Sequence, residues 1–326
     1  MGELKDSVLD KWLVVVNPNA GSRKGEKDWP MIKEHLIKKN FSFESFFTEN
    51  RNHAIRLTAD RISEGYRKII VVGGDGTLNE VVNGVYLQDT CKAEEMILAM
   101  IPVGTGNDWC RMYNIPKKYS KAIKVIRKGY IFTQDVGFIK YHDTDGEHER
   151  YFVNVSGMGY DALVAQKTNR LKDKGKGNTF SYLLNIFTGL FQYKYTPFQI
   201  EVDGKEVYNG RVLSMNLGIC KYNGGGMKQV PNAIPDDGLL DITIIKAASK
   251  FNIIKNVAKL YDGSFIKLRF VITSRGKECR IVSRPQGSVY LEADGESLGH
   301  SPLVFTVRQK ALSFIIPTPE QGDQTM

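Results

Sequence analysis

Apolar and polar positions follow two different patterns along this chain, and the change falls near Gly129. Before it, short β-branched apolar runs alternate with segments of helical apolar spacing, which predicts a parallel sheet covered by helices on both faces. From Thr133 onward, strand-like runs separated by Asp-Gly turns predominate, as is typical of an antiparallel β-sandwich. The pattern therefore predicts an α/β domain followed by an all-β domain.

The first part is predicted to hold strands at residues 12–16, 41–47, 69–72 and 97–101, and helices at 29–37, 53–63, 78–87, 109–112 and 120–127. The second part is predicted to hold strands at residues 134–138, 151–157, 198–202, 211–219, 239–245, 265–273, 279–282, 288–292 and 304–308. Two helices, at 161–169 and 180–195, interrupt these strands, and the apolar segment 311–317 is predicted as a last short strand. The predicted domains are residues 1–132 and 133–308, followed by a C-terminal segment, 309–326.

The composition is that of a globular chain large enough for two domains, with 326 residues of which 42% are hydrophobic and 25% charged. The net charge of +9 indicates anionic partners, which are a nucleotide, a membrane surface or a nucleic acid. No compact nucleic-acid-binding motif accompanies this charge, so nucleic acid is not expected as a partner. The first residues of the chain do not show a signal-peptide pattern. The sequence also lacks an apolar run of the roughly 18–20 residues that span a bilayer. Its four cysteines are not spaced as a CxxC motif. These features predict a cytoplasmic protein whose reduced thiols form no metal site.

The stretch Gly73–Glu80 follows a β-branched strand and leads into a helix. Open α/β sheets bind ligands at this position, and the N–H groups of a first helical turn favour phosphate. Asp75 would repel a phosphate unless a divalent cation lay between them, so the loop indicates a magnesium–nucleotide site. It lacks the Gly-Lys-Ser/Thr of a P-loop, and Asn79 stands where a dinucleotide-binding loop has glycine. A tight turn capped by Asp75 is the alternative interpretation of this loop alone.

Two further polar loops follow predicted strands, at Asn17–Ser22 and at Pro102–Asp108. Both contain glycine, and the second adds a hydroxyl group and the carboxylate of Asp108. Because the carboxyl ends of neighbouring parallel strands meet at one edge of a sheet, the three loops are expected to lie side by side.

The motif residues Asn17, Pro18 and Gly21, with the runs Gly73–Thr77 and Gly104–Asp108, resemble the diacylglycerol kinase catalytic family. This family comprises bacterial lipid kinases related to sphingosine and ceramide kinases, and the resemblance covers nearly the whole chain. It implies an N-terminal nucleotide domain with an open parallel sheet, a C-terminal β-sandwich, and an active site in the cleft between them. It further implies that the C-terminal segment returns to the first domain, and that ATP and Mg²⁺ serve to phosphorylate a lipid hydroxyl in phospholipid metabolism.

The resemblance also implies roles for individual residues. The implied ATP-binding positions are Asn17, Pro18, Asn19, Gly21, Thr48, Gly73, Gly74, Asp75, Gly76, Thr77, Asn79, Gly104, Thr105, Gly106, Asn107 and Asp108. Asp75 and Asp108 would organise Mg²⁺, directly or through water. Glu296 would be the catalytic base near the lipid hydroxyl, although Asp294-Gly295-Glu296 by itself is an ordinary turn.

The segment Pro231–Asp241 contains three aspartates within six residues, which fits either a Mg²⁺ or Ca²⁺ site or a solvated hairpin turn. By resemblance to the family it binds a structural Mg²⁺, through the Asp237 carboxylate and the main-chain carbonyls of Ile234 and Leu239. The run Asn223–Met227 matches the family's glycine loop.

Two other functions stay open at this point. One is a soluble-substrate kinase of the NAD kinase type, which shares the Gly73–Thr77 loop, and the other is a nucleotide- or lipid-binding protein without catalysis. The acceptor stays open between diacylglycerol, a sphingoid base, ceramide, and an isoprenoid or phospholipid alcohol. Peripheral contact with an anionic membrane is expected, through the basic segment Lys167–Lys176 backed by the aromatic helix 180–195. The alternative interpretation of this segment is a solvated loop on a buried core helix. Whether the chain forms a homodimer stays open as well.

Overall fold

The computed structural model describes residues 8–104, 106–173, 189–191 and 193–318 of the chain. It divides into two compact units. The first consists of the chain up to Gln134 together with the segment that begins at Lys310, and the second is Asp135–Gln309. The predicted boundaries, after residues 132 and 308, differ from these by one or two residues.

The first unit consists of parallel strands connected by helices. Its strands are β1 (Trp12–Val16), β2 (Phe43–Phe47), β3 (Lys68–Gly73) and β4 (Ile97–Pro102). Its helices are α1 (Ala20–Lys38), α2 (His53–Ser63), α3 (Asp75–Leu87), α4 (Asp108–Met112) and α5 (Tyr119–Lys128), with 3₁₀ turns at Val8–Asp10 and Ala93–Glu95. The strands pair in the order β2–β1–β3–β4, all parallel. The end of the last strand of the chain, β14 (Glu296–Ile316), adds to β4 in parallel through Ser313 and Phe314.

Both faces of this sheet are covered, since Leu13–Val16 of β1 and Ile69–Val72 of β3 are inaccessible to solvent. Strands buried on both faces need apolar residues at every position, which is why these runs do not alternate. Trp29, Ile32 and Leu36 of α1 pack against them in one core. The buried strands thus form a rigid base for the polar loops at their carboxyl ends.

Two helices begin earlier than the apolar pattern predicts. α1 starts at Ala20, whereas the apolar pattern predicts a start at residue 29. The pattern does not show the first half of α1, because this half is rich in glycine and lysine and has no apolar periodicity. Within that half, Gly21–Arg23 have left-handed φ angles between 60° and 68°. α3 starts at Asp75 rather than at residue 78, so the middle of the predicted phosphate loop is the first turn of a helix.

The second unit is mainly antiparallel. Its strands are β5 (Tyr130–Asp143), which starts in the first unit, β6 (Gly146–Phe152), β7 (Val155–Gly159), β8 (Thr196–Val202), β9 (Lys205–Gly218), β10 (Leu240–Lys246), β11 (Val271–Gly276), β12 (Glu278–Ser283), β13 (Tyr290–Ala293) and the first part of β14. Its helices are α6 (Tyr160–Asp173), α7 (Lys250–Asn256) and α8 (Lys259–Asp262), with a 3₁₀ turn at Ser264–Lys267.

Two routes of antiparallel pairing connect β9 with β14. One route runs through β7 and β13, and the other runs through β8 and β12. Because both routes start and end on the same two long strands, the sheet is folded over on itself and encloses a core. Phe152, Phe198 and Phe305 are among its fully buried side chains.

Several elements of the second unit differ from the prediction. The predicted strand 151–157 is two strands, and the predicted strand 265–273 begins with a 3₁₀ turn and becomes a strand only at Val271. The sequence pattern does not predict α7 and α8 at all. Of the predicted helix 180–195, only residues 189–191 and 193–195 are described, and the rest lies outside the described residues. In the part of the chain that the structure describes, no helix is long and apolar enough to cross a bilayer.

Candidate functional site

The three strand-end loops of the first unit meet in space. Asn17, which follows β1, donates its side-chain N–H to the Thr77 hydroxyl in α3, with an Nδ2–Oγ1 distance of 2.9 Å. The amide of Val103, which follows β4, donates to the carbonyl of Gly73 at 2.8 Å. The loops therefore form one surface at the carboxyl ends of β1, β3 and β4, where parallel sheets bind ligands.

These loops approach one another so closely that glycine is required at the contacts. A Cβ atom on Gly104 would lie 2.9 Å from Gly74 Cα and 2.7 Å from Asn107 Oδ1. Gly21 has a φ angle of 60°, and a Cβ atom there would collide with the Val103 carbonyl oxygen. Any larger residue would force the loops apart, so the glycines of the motifs are explained by backbone contact as well as by ligand approach.

Asp75 connects two of the loops. Its carboxylate accepts the N–H groups of Asp108 and Trp109, at 2.9 and 3.1 Å, and so caps the first turn of α4. Asp108 is 4% exposed, and its Oδ1 lies 3.3 Å from Nε of Arg111. A Cβ atom on Gly106 would lie 3.5 Å from Asp75 Oδ2 and 3.9 Å from Asp108 Oδ2. The two carboxylates predicted to organise Mg²⁺ therefore both lie close to Gly106.

Two further predicted positions lie at the edge of this surface. Thr48 follows β2, and its amide donates to the carbonyl of Val16 at 2.9 Å, which places it beside the Asn17 loop. Asn19 donates its amide to the side-chain oxygen of Asn17 at 3.0 Å. This contact fixes the Asn17 amide, whose Nδ2 is then directed at Thr77.

The remaining predicted positions differ in accessibility. Asn79 is fully buried in α3 and its Oδ1 accepts a hydrogen bond from Asn83 at 3.2 Å. Asn107 donates to the carbonyl of Gly104 at 2.5 Å, and its buried Oδ1 has no hydrogen-bond partner among the described residues. Thr105 lies outside the described residues.

The turn between β13 and β14 carries Glu296. Asp294 and Gly295 have left-handed φ angles of 50° and 83°, the conformation of a two-residue hairpin turn, which favours Asp-Gly. Asp294 is 3% exposed, and its carboxylate accepts the amides of Val153 and Asn154 at 3.0 and 2.9 Å. These bonds anchor the turn, and they account for the break between β6 and β7. Glu296 itself is partly exposed.

Glu292 belongs to none of the sequence motifs described above. It lies in β13, is 2% exposed, and its Oε2 accepts the amide of Gly295 at 2.9 Å. Its Oε1 accepts the side-chain N–H of Asn223 at 2.8 Å. Burial raises the pKa of Glu292 to about 8, so the side chain is mainly protonated at neutral pH. Glu292 thus links the Asn223–Met227 glycine loop to the turn that precedes Glu296.

A second carboxylate, which is partly buried, lies beside Glu292. Asp161, in the first turn of α6, accepts hydrogen bonds from the Ser214 hydroxyl and from Asn216 Nδ2, the latter at 2.8 Å. Burial raises the pKa of Asp161, and the Asp161 charge adds to the rise in the pKa of Glu292. A Cβ atom on Gly157 would lie 2.6 Å from Glu292 Oε1 and 3.1 Å from Asn216 Oδ1, so only glycine fits between these groups. The second unit therefore contains a buried polar cluster behind the Glu296 turn.

The acidic turn before β10 is held by Arg275. The guanidinium forms ion pairs with Asp237 and, at 3.0 Å, with Asp241. Asp237 also accepts the amide of Leu239 at 3.1 Å. A Mg²⁺ ion on the Asp237 carboxylate would compete with this guanidinium, whereas the buried Asp241 Oδ2, unpartnered among the described residues, fits a cation.

No group of three or more His, Cys, Asp and Glu side chains in the described part of the chain is arranged as a metal site. The magnesium site at Ile234, Asp237 and Leu239 stays a prediction. Of the basic segment 167–176, only Lys167 has a described side chain. It lines a cavity of about 280 Å³ together with Leu163 and Tyr193.

The chain is similar to known proteins along almost its whole length. Residues 11–139 match the diacylglycerol kinase catalytic domain, and residues 154–316 match the YegS C-terminal NAD kinase beta sandwich-like domain. A diacylglycerol kinase of Staphylococcus carnosus is 30% identical over 292 residues, which cover 90% of this chain and 90% of the relative.

Two solved structures have the same fold. A diacylglycerol kinase from Bacillus anthracis is 25% identical, with a TM-score of 0.73, and the match covers 96% of this chain and 98% of the other. Yeast NADH kinase in complex with NADH is 11% identical, with a TM-score of 0.55 and coverage of 97% and 87%, a likeness of fold alone. The two-domain fold with a C-terminal β domain is thus common to diacylglycerol kinases and NAD kinases. The two matched domains and the Staphylococcus relative place the chain in the diacylglycerol kinase family, and it is a lipid kinase.

Proposed function

We propose that this lipid kinase transfers the γ-phosphoryl group of ATP to a hydroxyl group of diacylglycerol or of a related lipid alcohol, as a step of phospholipid synthesis. The observation that carries the proposal is the meeting of the three strand-end loops, with the carboxylates of Asp75 and Asp108 both close to Gly106. The names of the Staphylococcus and Bacillus relatives support diacylglycerol as the acceptor.

The phosphates of ATP would lie on the loops Asn17–Ser22, Gly73–Asn79 and Gly104–Gly106, with Thr48 nearby. α3 is 13 residues long and starts at Asp75, so the positive end of its dipole is directed at the middle loop. Phosphoryl transfer depends mainly on positioning and on neutralisation of developing charge. The contacts among the loops supply the positioning, because each loop holds its neighbour in place.

Asp75 and Asp108, whose carboxylates both lie near Gly106, would hold Mg²⁺, because carboxylate oxygens are the ligands it takes in proteins. When bound, it would neutralise the charge that develops on the phosphates. The Asp75 carboxylate accepts amides of α4. A cation held there, directly or through water, would share this carboxylate with the cap of α4.

Glu296, in the β13–β14 turn of the second unit, is proposed as the base toward the lipid hydroxyl. A glutamate carboxylate is a weak base for an alcohol. Glu296 would therefore accept the proton late, after bond formation to the γ-phosphorus has acidified the hydroxyl. The bonds from Val153 and Asn154 to Asp294, and from Gly295 to Glu292, support the assignment, because they hold the backbone before Glu296 in one conformation.

The test is phosphoryl transfer from ATP in detergent–lipid micelles, with diacylglycerol, ceramide, a sphingoid base and a phospholipid alcohol as separate acceptors and NAD as a soluble acceptor. The expected result is Mg²⁺-dependent incorporation of phosphate into diacylglycerol or another lipid alcohol, and none into NAD. Transfer to NAD alone would assign the chain to the NAD kinase reaction. ATP binding without transfer to any of these acceptors would contradict the proposal.

A further inference from the structure

The second unit has a surface that the proposed catalytic residues do not use. α7 and α8 follow each other between β10 and β11, and Val257 and Ala258 between them keep right-handed helical backbone angles. No residue of these two fully described helices is buried. The helices therefore lie on the surface over their whole length.

Large aromatic side chains on these helices face solvent. Phe251 of α7 is 75% exposed and Tyr261 of α8 is 53% exposed. Packing within the unit does not account for Phe251, because the residues that attach α7 to the unit are Ile253 and Ile254, which pack against the cluster around Leu213. α7 thus has one apolar side that anchors it and a phenylalanine that faces outward.

Positive charge accompanies the exposed aromatic residues. The segment 246–269 contains six basic residues and one acidic residue. Lys255 and Lys259 are exposed and follow Phe251 at intervals of four, so they lie on the same side of the helical segment. Aromatic residues with lysines beside them fit the headgroup region of an anionic bilayer, where the ring enters the interface and the lysines reach the phosphates.

The start of α7 is fixed by a different lysine. Lys250 Nζ donates to the carbonyls of Phe191 and Tyr193, each at 2.8 Å. Its charge is therefore directed inward and holds α7 against the backbone before β8. Phe191 is itself 63% exposed, so this bond places a third exposed aromatic residue next to the start of α7.

We propose that α7 and α8 form a membrane-docking face, in which Phe251 and Tyr261 enter the headgroup region of an anionic bilayer and Lys255 and Lys259 bind lipid phosphates. This inference rests on the proposed function, because a lipid kinase has to take its substrate from a bilayer. A nucleic-acid duplex would use the lysines but would leave an outward phenylalanine without a contact. The exposed aromatic residues therefore favour lipid over a duplex, and binding to a single strand is an outcome that the test below distinguishes.

Co-sedimentation with vesicles tests the proposal. The wild-type protein should bind vesicles of phosphatidylcholine mixed with phosphatidylserine, should not bind phosphatidylcholine alone, and should be released as salt shortens the screening length. Each basic residue near an anionic leaflet strengthens binding about fivefold, so Lys255→Gln with Lys259→Gln should weaken it about 25-fold. Phe251→Ser should weaken it by about tenfold or more, through the loss of apolar burial.

The matched control is Lys205→Gln with Lys277→Gln, which removes the same charge from exposed positions in the same unit. It should bind vesicles nearly as well as the wild type. All variants should phosphorylate lipid in detergent micelles as the wild type does, since none alters the proposed catalytic residues. As a second measurement, a tryptophan introduced by Phe251→Trp should shift its fluorescence to the blue on anionic vesicles.

Equal sedimentation of wild type and the Lys255/Lys259 double variant would overturn the proposal. So would an unchanged Phe251→Ser variant combined with lysine-dependent binding to an RNA oligonucleotide, which would identify a nucleic-acid surface. If the micelle assay fails while vesicle binding follows the expected order, the proposed function is wrong and the docking face stands. If the micelle assay succeeds and the variants bind vesicles like the wild type, the docking face alone is wrong.

Discussion

Glu292→Gln is expected to change how stability depends on pH. The carboxyl group is buried, and its pKa is raised to about 8, chiefly by burial, from the ordinary value of 4.5. Asp161 and Asp294 face it and raise its pKa further, whereas the hydrogen bonds from Gly295 and Asn223 lower it. Glutamine has nearly the same shape and does not titrate in this range, so the substitution removes the proton uptake and leaves most of the packing.

The magnitude follows from the two pKa values. The pKa is higher in the folded state than in the unfolded chain, so folding takes up a proton between them. The resulting stabilisation is complete below about pH 4.5 and is lost as the pH rises through about 8. Between these two pKa values, the free energy of unfolding falls by about 1.4 kcal/mol per pH unit, or by on the order of 4 kcal/mol between pH 5 and pH 8. At low pH, Glu292→Gln should lower the free energy of unfolding by about 1 kcal/mol, because one of the two N–H donors, Gly295 or Asn223, loses its acceptor.

The assay is thermal unfolding of wild type and variant at several pH values between about 5 and 8. The wild type should be the more stable protein at the acidic end, and its advantage should shrink and reverse as the pH rises. A change of 1 kcal/mol moves the melting temperature of a unit of this size by roughly 2–4 °C. The difference in melting temperature between wild type and variant should therefore change by roughly 10 °C across this pH range. Glu206→Gln, at an exposed position in β9, is the control and should follow the wild type. Parallel curves for wild type and Glu292→Gln would refute the reasoning.

Three further predictions concern the proposed site. Asp75→Asn should reduce kcat strongly, because it removes the charge that faces Mg²⁺. It should reduce the stability of the fold by only about 1 kcal/mol, because it weakens one hydrogen bond to α4. A wild-type kcat in this variant would exclude the metal role. Glu296→Gln should lower kcat by roughly 10²–10⁴-fold with unchanged ATP affinity, and a loss below about threefold would make the residue structural. Mg²⁺ without nucleotide should raise the melting temperature of the wild type but not of Asp237→Ala, since a ligand that binds only the native state stabilises it. Equal shifts in the two proteins would argue against a metal ion at this turn, where Arg275 already contacts the carboxylate.

The sequence by itself determined the features that depend on short stretches of chain. The buried strands β1, β3 and β4 are continuous apolar runs, and each is followed by a polar glycine loop, so both the parallel arrangement and the meeting of the loops follow from local pattern. The Asp-Gly turn before Glu296 is equally local, because two successive left-handed residues require such a pair. Because the prediction depends on local apolar pattern, it does not include the start of α1, whose first residues carry no apolar periodicity.

Only the tertiary structure decided the features that depend on residues far apart in sequence. Asp75 caps a helix that begins 33 residues later, and Asp294 binds amides about 140 residues earlier, so no local pattern contains these bonds. Glu292 shows the same limit, because its burial is set by Asn223 and Gly157 on neighbouring elements. Its position between two buried strand residues, Leu291 and Ala293, was the single local signal. The outward direction of Phe251 likewise depends on tertiary contacts. A short helix can bury either side, and in this fold the side with Ile253 and Ile254 packs against the second unit.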